Sequence, residues 1–158
     1  MSCYNISNDY HYDADIRMII DREEISRRLN IKGYRLTKQR LAVLKALQGT
    51  RSHPDANWIY EEVRKEIPHI SLGTIYRTLG ILKEAGLLRE LDYAGSPSRY
   101  DANTENHAHI VCTNCGRIND LPLLIPDRLE EQASKVTDFL ITDHRLEFYG
   151  LCPDCRPG

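Results

Sequence analysis

Four of the five cysteines in this 158-residue chain form two CxxC pairs, Cys112/Cys115 and Cys152/Cys155, and no other feature restricts the fold as strongly. Four thiolates in two such pairs fit a tetrahedral metal, and Zn2+ is their commonest owner. Gly116 and Pro153 supply turn residues that let the backbone wrap the ion. The 36 residues between the pairs exceed the spacing of a compact zinc ribbon, so the ion is expected to staple two distant strands. Neither pair opens a thioredoxin-like helix, which argues against a redox dithiol. Four thiolates also close the coordination sphere to substrate, so the expected role is structural.

Cysteine pairs of this kind suit a reducing compartment, where thiols bind metal rather than pair. No stretch approaches the ~18 consecutive apolar residues of a membrane span. The opening MSCYNISNDYHYDAD lacks the basic-then-apolar order of a secretory leader. A soluble cytoplasmic protein with no membrane association is expected. Residues 1–15 read as a flexible arm carrying the leftover Cys3. The formal net charge is only −2, yet its distribution is uneven. Residues 16–51 hold ten Lys/Arg against Asp21, Glu23 and Glu24, whereas residues 101–158 hold five basic and ten acidic residues. Only the first half is suited to meet a polyanion.

That half is patterned as helices. Ile16, Ile19, Ile20, Ile25 and Leu29 recur at helical spacing until Gly33, and Thr37 is placed to cap a helix over 38–48. A third helix is expected from Pro54 until Pro68. Ser71 then caps a fourth, with Leu72, Ile75, Leu79 and Leu82 inward and Gly86 at its end. Two helices across the short IPHI turn form a helix-turn-helix, and the strand-like runs LLRELDY and SRYDAN around AGSP add a wing. The fourth helix turns Thr74, Tyr76, Arg77 and Gly80 outward. Arginine and an aromatic ring beside small residues suit the major groove of double-stranded DNA.

The pattern changes near Asp101. Strands are expected over 107–112 and 117–121, a helix over 126–136, and two strands within FLITDHRLEFYGLC. A unit of roughly fifty residues buries little surface alone, so pairing with a second copy is expected. The fold class is therefore α+β. A flexible arm (1–15) precedes a winged helix-turn-helix domain (16–100) and a small α/β metal-binding dimerisation domain (101–158). Within HAHIVCTNCGRIND, strand parity points His107 and His109 to one side and Cys112 to the other. Imidazoles and thiolates therefore serve two sites. Further ligands for the histidine pair come from His11, His53, His69, His144, Asp101 and Asp120.

The ordered motifs GYRLTKQRLAVLKAL, HPDANWIYEEV, SLGTIYRTLGILKEAGL, SRYDA, HAHIVCTNCGRIND, HRLEFYG and CPDC cover roughly residues 25–156. Together they resemble the ferric-uptake-regulator (Fur) family of bacterial metalloregulators, most closely its peroxide-responsive branch. The resemblance implies a homodimeric, metal-dependent repressor of transcription that binds operator DNA. It places structural zinc on Cys112, Cys115, Cys152 and Cys155. It assigns a regulatory Fe2+ or Mn2+ to His53, Asp101, His107, His109 and Asp120, with His53 and His107 open to oxidation by peroxide. It also implies that residues 71–85, beginning at Ser71, enter the major groove, with Tyr76 contacting bases, Arg77 beside it and Arg35 in the minor groove. Three imidazoles and two carboxylates suit those metals better than a thiolate site does.

Departures from the family pattern also carry information. Many of its iron sensors have a further metal site that would need acidic or histidine side chains where this chain has Asn106 and Ala108. Only Asp127 and His144 remain of that set, so the site is expected to be missing. Asp120 stands where iron sensors often have Glu. The alternative within the family is an iron-responsive uptake regulator. A metallohydrolase is the alternative of another class, but it needs an exposed metal-bound water. Five protein ligands leave little room for one.

Overall fold

The first four helices begin where a short polar side chain answers the open N–H groups of a first turn. The computed structural model describes residues 21–93, 97–123 and 128–157. Its helices α1 (Arg22–Ile31), α2 (Lys38–Gln48), α3 (Ala56–Val63) and α4 (Leu72–Glu84) are capped by Asp21, Thr37, Asp55 and Ser71. Each cap accepts from the backbone N–H three residues on, an interaction of about 1 kcal/mol. Thr37 and Ser71 are the caps expected from sequence. Helix α3 is shorter than expected at both ends. Asp55 rather than Pro54 begins it, and it stops at Val63 because the next N–H groups tighten onto Glu62 and Val63 carbonyls. Gly86 ends α4 with a φ of +66°, which lets the Leu87 N–H return to the Leu82 carbonyl at 2.9 Å.

The helices enclose one core in which Leu29, Val43, Leu44, Leu47, Ile59, Ile75, Leu79, Leu82 and Leu87 lose nearly all contact with solvent. Behind α4, strand β1 (Arg89–Leu91) pairs antiparallel with β2 (Arg99–Asp101), placing Arg89 opposite Asp101. This is a helix-turn-helix with a wing. Tyr100 of β2 reaches the helical core, and its N–H donates to the Pro54 carbonyl. The wing is thereby tied to the loop before α3. The tip of the AGSP turn, 94–96, lies outside the described residues, as do the 1–15 arm with Cys3 and the apolar positions Ile16, Ile19 and Ile20.

A second, three-stranded sheet follows in the order β4-β3-β5, from β3 (Ala108–Cys112), β4 (Ile118–Leu121) and β5 (Glu147–Gly150). Strands β3 and β4 form an antiparallel hairpin, while β5 returns parallel to β3 after the short helix α5 (Leu129–Ser134). Two expectations change here. The helix expected over 126–136 is one and a half turns long among the described residues, and Pro126 lies outside them. Of the two strands expected in FLITDHRLEFYGLC only β5 forms. Phe139 and Leu140 in the FLIT run are 82% and 89% exposed. A strand needs a ladder, and both sides of β3 are already taken. Ala108, Val111, Cys112 and Ile118 are buried apart from the helical core. No helix among the described residues is long and apolar enough to cross a membrane. The fold is α+β.

Candidate metal centres

Parallel pairing of β3 with β5 explains how distant CxxC pairs meet. In a parallel ladder both strands end on the same side of the sheet. Cys112 is registered with Gly150, so Cys152 follows two residues later beside it. Gly116, with φ +69°, turns the first pair back so that its N–H donates to the Cys112 carbonyl at 2.9 Å. In the second knuckle the N–H groups of Cys155 and Arg156 both reach the Cys152 carbonyl. Arg117 and Asp154 join the knuckles through a 2.7 Å ion pair. All four sulfurs lie within 4.8 Å of one another, and Cys115 Sγ and Cys152 Sγ are 3.8 Å apart. That separation is too long for a disulfide and matches the ~3.8 Å edge of a tetrahedron with 2.3 Å metal–sulfur bonds. The N–H groups of Cys115 and Cys152 pull the Cys112 thiol down to about 6. The Asn114 side chain acts the same way on Cys155, but the neighbouring Cys152 and Cys115 sulfurs outweigh it and push that thiol up to about 12. Four sulfurs this close release their protons together only when a cation joins them.

The second cluster draws on four segments. His53 ends the loop after α2, Asp101 closes β2, His107 and His109 enter β3, and Asp120 lies on β4. Register explains one pairing, since His109 stands opposite Asp120 in the β3–β4 hairpin. The His107 and His109 ring centroids are 4.3 Å apart, as expected from shared parity, and His53 lies 4.9 Å from His109. Asp120 Oδ1 is 2.6, 3.2 and 3.7 Å from the Nε2 atoms of His53, His107 and His109. Asp101 Oδ2 lies 3.1 Å from His107 Nε2 and 3.6 Å from His109 Nε2. These separations bracket the ~3.0 Å between neighbouring donors around a six-coordinate ion at about 2.1 Å.

Outer contacts aim the donors inward. The Glu105 carbonyl accepts from His107 Nδ1 at 2.9 Å, leaving Nε2 toward the cluster. Asp101 Oδ1 accepts from the Asn103 N–H at 2.8 Å and frees Oδ2. Asp101 Oδ2, His107 Nε2 and both ring nitrogens of His109 are buried without a hydrogen-bond partner. Buried polar atoms of this kind are costly unless something answers them. A divalent cation fits. Burial opposes the charge on His107, but the carboxylates of Asp101 and Asp120 close beside it hold its pKa up at about 10. Burial also opposes the Asp101 carboxylate, and His107 and His109 hold it down at about 2. Asp120 falls still further below the usual carboxylate range, against its burial, through His107 and His53. His53 adopts φ +45°, the one non-glycine left-handed residue among those described. Such strain persists where the surroundings enforce it, and ligand clamps are a common place.

The other histidine candidates stay apart. His69 is exposed in the turn before α4, His11 lies outside the described residues, and His144 Nδ1 bonds Glu130 Oε1 at 2.6 Å. Nothing in sequence spacing marked Glu130 as that partner. Asp127 also lies outside the described residues. On α4, Tyr76 is 52% exposed and Arg77 stands beside it in solvent. Ser71 accepts from the Thr74 N–H, and the two hydroxyls lie 2.9 Å apart. Arg35 is exposed between α1 and α2, with Arg40 folded onto its carbonyl.

A cation at the second cluster would act on how a winged helix is held against a sheet. Fold and site together are those of a metal-binding transcriptional regulator and not of an enzyme. The sequence profile of the ferric uptake regulator family matches residues 31–149, and the chain belongs to that family. It is 44% identical over 128 residues to the peroxide-responsive repressor PerR of Staphylococcus saprophyticus, covering 81% of this chain and 86% of that one. Against PerR of Staphylococcus aureus it is 42% identical over 134 residues, covering 85% and 90%. Its fold is similar to the peroxide stress regulator of Campylobacter jejuni, with a TM-score of 0.67, 33% identity and coverage of 86% and 100%. It is also similar to the Helicobacter pylori ferric uptake regulator, a protein with three functional metal-binding sites, with a TM-score of 0.69, 26% identity and coverage of 86% and 94%.

Proposed function

We propose that this chain is a cytoplasmic, homodimeric repressor that senses hydrogen peroxide through oxidation of histidine ligands at a regulatory Fe2+ or Mn2+ site. The observation that carries the reading is the convergence of His53, Asp101, His107, His109 and Asp120 from both halves of the chain, with buried unpartnered donor atoms at their centre. The peroxide-responsive names of relatives sharing over two-fifths of its residues support it. Residues 16–100 form the DNA-binding domain and residues 101–158 the dimerisation domain. Cys112, Cys115, Cys152 and Cys155 hold structural Zn2+. Arg35, Ser71, Thr74, Tyr76 and Arg77 face double-stranded operator DNA. Val136, Phe139 and Leu140, each more than four-fifths exposed, supply an apolar surface for a second copy.

The ligands coexist only when the halves are closed, so metal uptake shifts the population toward the DNA-binding arrangement. An Fe2+ ion held by these five residues would supply redox reactivity toward peroxide that Mn2+ would largely lack. The imidazole of His53 or His107 takes up one oxygen atom as peroxide is reduced to water, and the oxidised ring is a poorer ligand. Cys112 leaves β3 with the parity opposite to His109, and the other three cysteines lie beyond the strand ends, so histidine reacts before cysteine. The test is peptide mass spectrometry with operator binding on both metal forms after an equimolar dose of peroxide. The Fe2+ form should gain one oxygen on His53 or His107 and release DNA, and the Mn2+ form should do neither. Unmodified histidines on an Fe2+ form that stays bound would replace this reading with iron-responsive regulation.

A further inference from the structure

Strand β1 of the winged helix and the residues just past it grip the second half through side chains that are not themselves metal donors. At its start, Arg89 Nη2 donates to Asn106 Oδ1 at 2.7 Å, one residue before His107. Two residues past its end, Tyr93 lies under Arg145, whose guanidinium carbon is 5.1 Å from the ring centroid. The Tyr93 hydroxyl is buried without a hydrogen-bond partner. Arg145 is itself fixed by an ion pair with Glu147, which is registered beside His109 on β5. Between these grips Leu91 is buried, yet it stands outside the helical core. Arg89 at the start of β1 and Tyr93 just past its end both meet the other half.

We infer that Arg145 is a positioning residue: by stacking on Tyr93 it latches the two halves independently of metal and so sets how tightly the histidine–aspartate cluster binds its ion. The inference rests on the functional reading above for the identity of that cluster. A partly desolvated cation–π contact favours closure before the ion arrives. Each increment of closed population then appears as tighter metal binding. Arg145 is not one of the donors, so its effect on the cluster passes through Tyr93.

The test is a double-mutant cycle on the full-length, zinc-loaded protein, using Tyr93→Ala, Arg145→Ala and the pair, with Mn2+ affinity as the readout. Each single variant should bind Mn2+ about tenfold more weakly. The pair should be no weaker than either alone, with zinc content unchanged throughout. Tyr93→Phe keeps the ring face and should keep wild-type affinity. Additive losses in the pair would mean that Arg145 supports only its own sheet, and the latch is then overturned. Small-angle scattering without Mn2+ reads the latch separately, since either alanine variant should expand the protein. If the wild type fails to take up Mn2+ while the variants still expand, the metal reading fails and the latch stands. If the variants show no expansion and no loss of affinity, the latch fails.

Discussion

His53 combines a ligand's position with a backbone conformation that costs energy in any residue but glycine. Its φ is +45°, and the next residue, Pro54, is tied to β2 by the Tyr100 N–H. Replacing His53 by Gly or by Ala removes the same imidazole, so their difference isolates the strain. The metal-free Gly variant should be more stable than the Ala variant by about 1 kcal/mol in urea denaturation. Neither should gain stability from Mn2+ as the wild type does. Equal stability of the two variants would show that the loop relaxes and stores nothing. Much about single residues was legible in sequence. Parity separated His109 from Cys112 because a strand has a fixed period of two. The Glu105 carbonyl that orients His107, and the Asn103 N–H that frees one oxygen of Asp101, carry no such signature. They depend on how a loop folds back upon itself.

Among the elements, α4 and the β3–β5 pair carry the clearest consequences. Tyr76→Ala should reduce preference for operator over unrelated DNA by roughly 1–3 kcal/mol, because one base contact is lost. Arg35→Ala should instead lower binding evenly across sequences and flatten its salt dependence. Competition binding at two salt concentrations distinguishes them, and an unchanged preference in Tyr76→Ala would mean that another face of α4 reads the DNA. For the sheet, Cys112→Ser or Cys155→Ser should lose zinc and separate the protomers, since few other buried groups hold β5 beside β3. Metal analysis with sedimentation measures both. A zinc-free variant that remained dimeric and equally heat-stable would end the structural assignment. Caps such as Thr37 and Ser71 were readable because capping is local. The early stop of α3 and the unpaired FLIT run were not, because each depends on what lies beside it in space.

For the molecule as a whole, the regulatory cluster is a bridge between two packing units. Mn2+ at about one hundred times its dissociation constant should stabilise the folded protein by about 2.7 kcal/mol. Asp101→Asn should reduce that gain, because the buried carboxylate is replaced by a neutral amide beside the same imidazoles. Thermal unfolding with and without Mn2+ measures both, and a wild-type transition indifferent to Mn2+ would leave the cluster without a role as a clamp. The chain's own order of residues already settled the helix-turn-helix, the wing, the four-thiolate set and the division between basic and acidic halves. Those features rest on periodicity, capping and short spacings, which act over a few residues. The meeting of His53 with Asp120 across 67 positions, and of Tyr93 with Arg145, depended on folding. Strand register and the seating of the wing on the helical core bring those residues within reach, and neither is written in any local stretch of the chain.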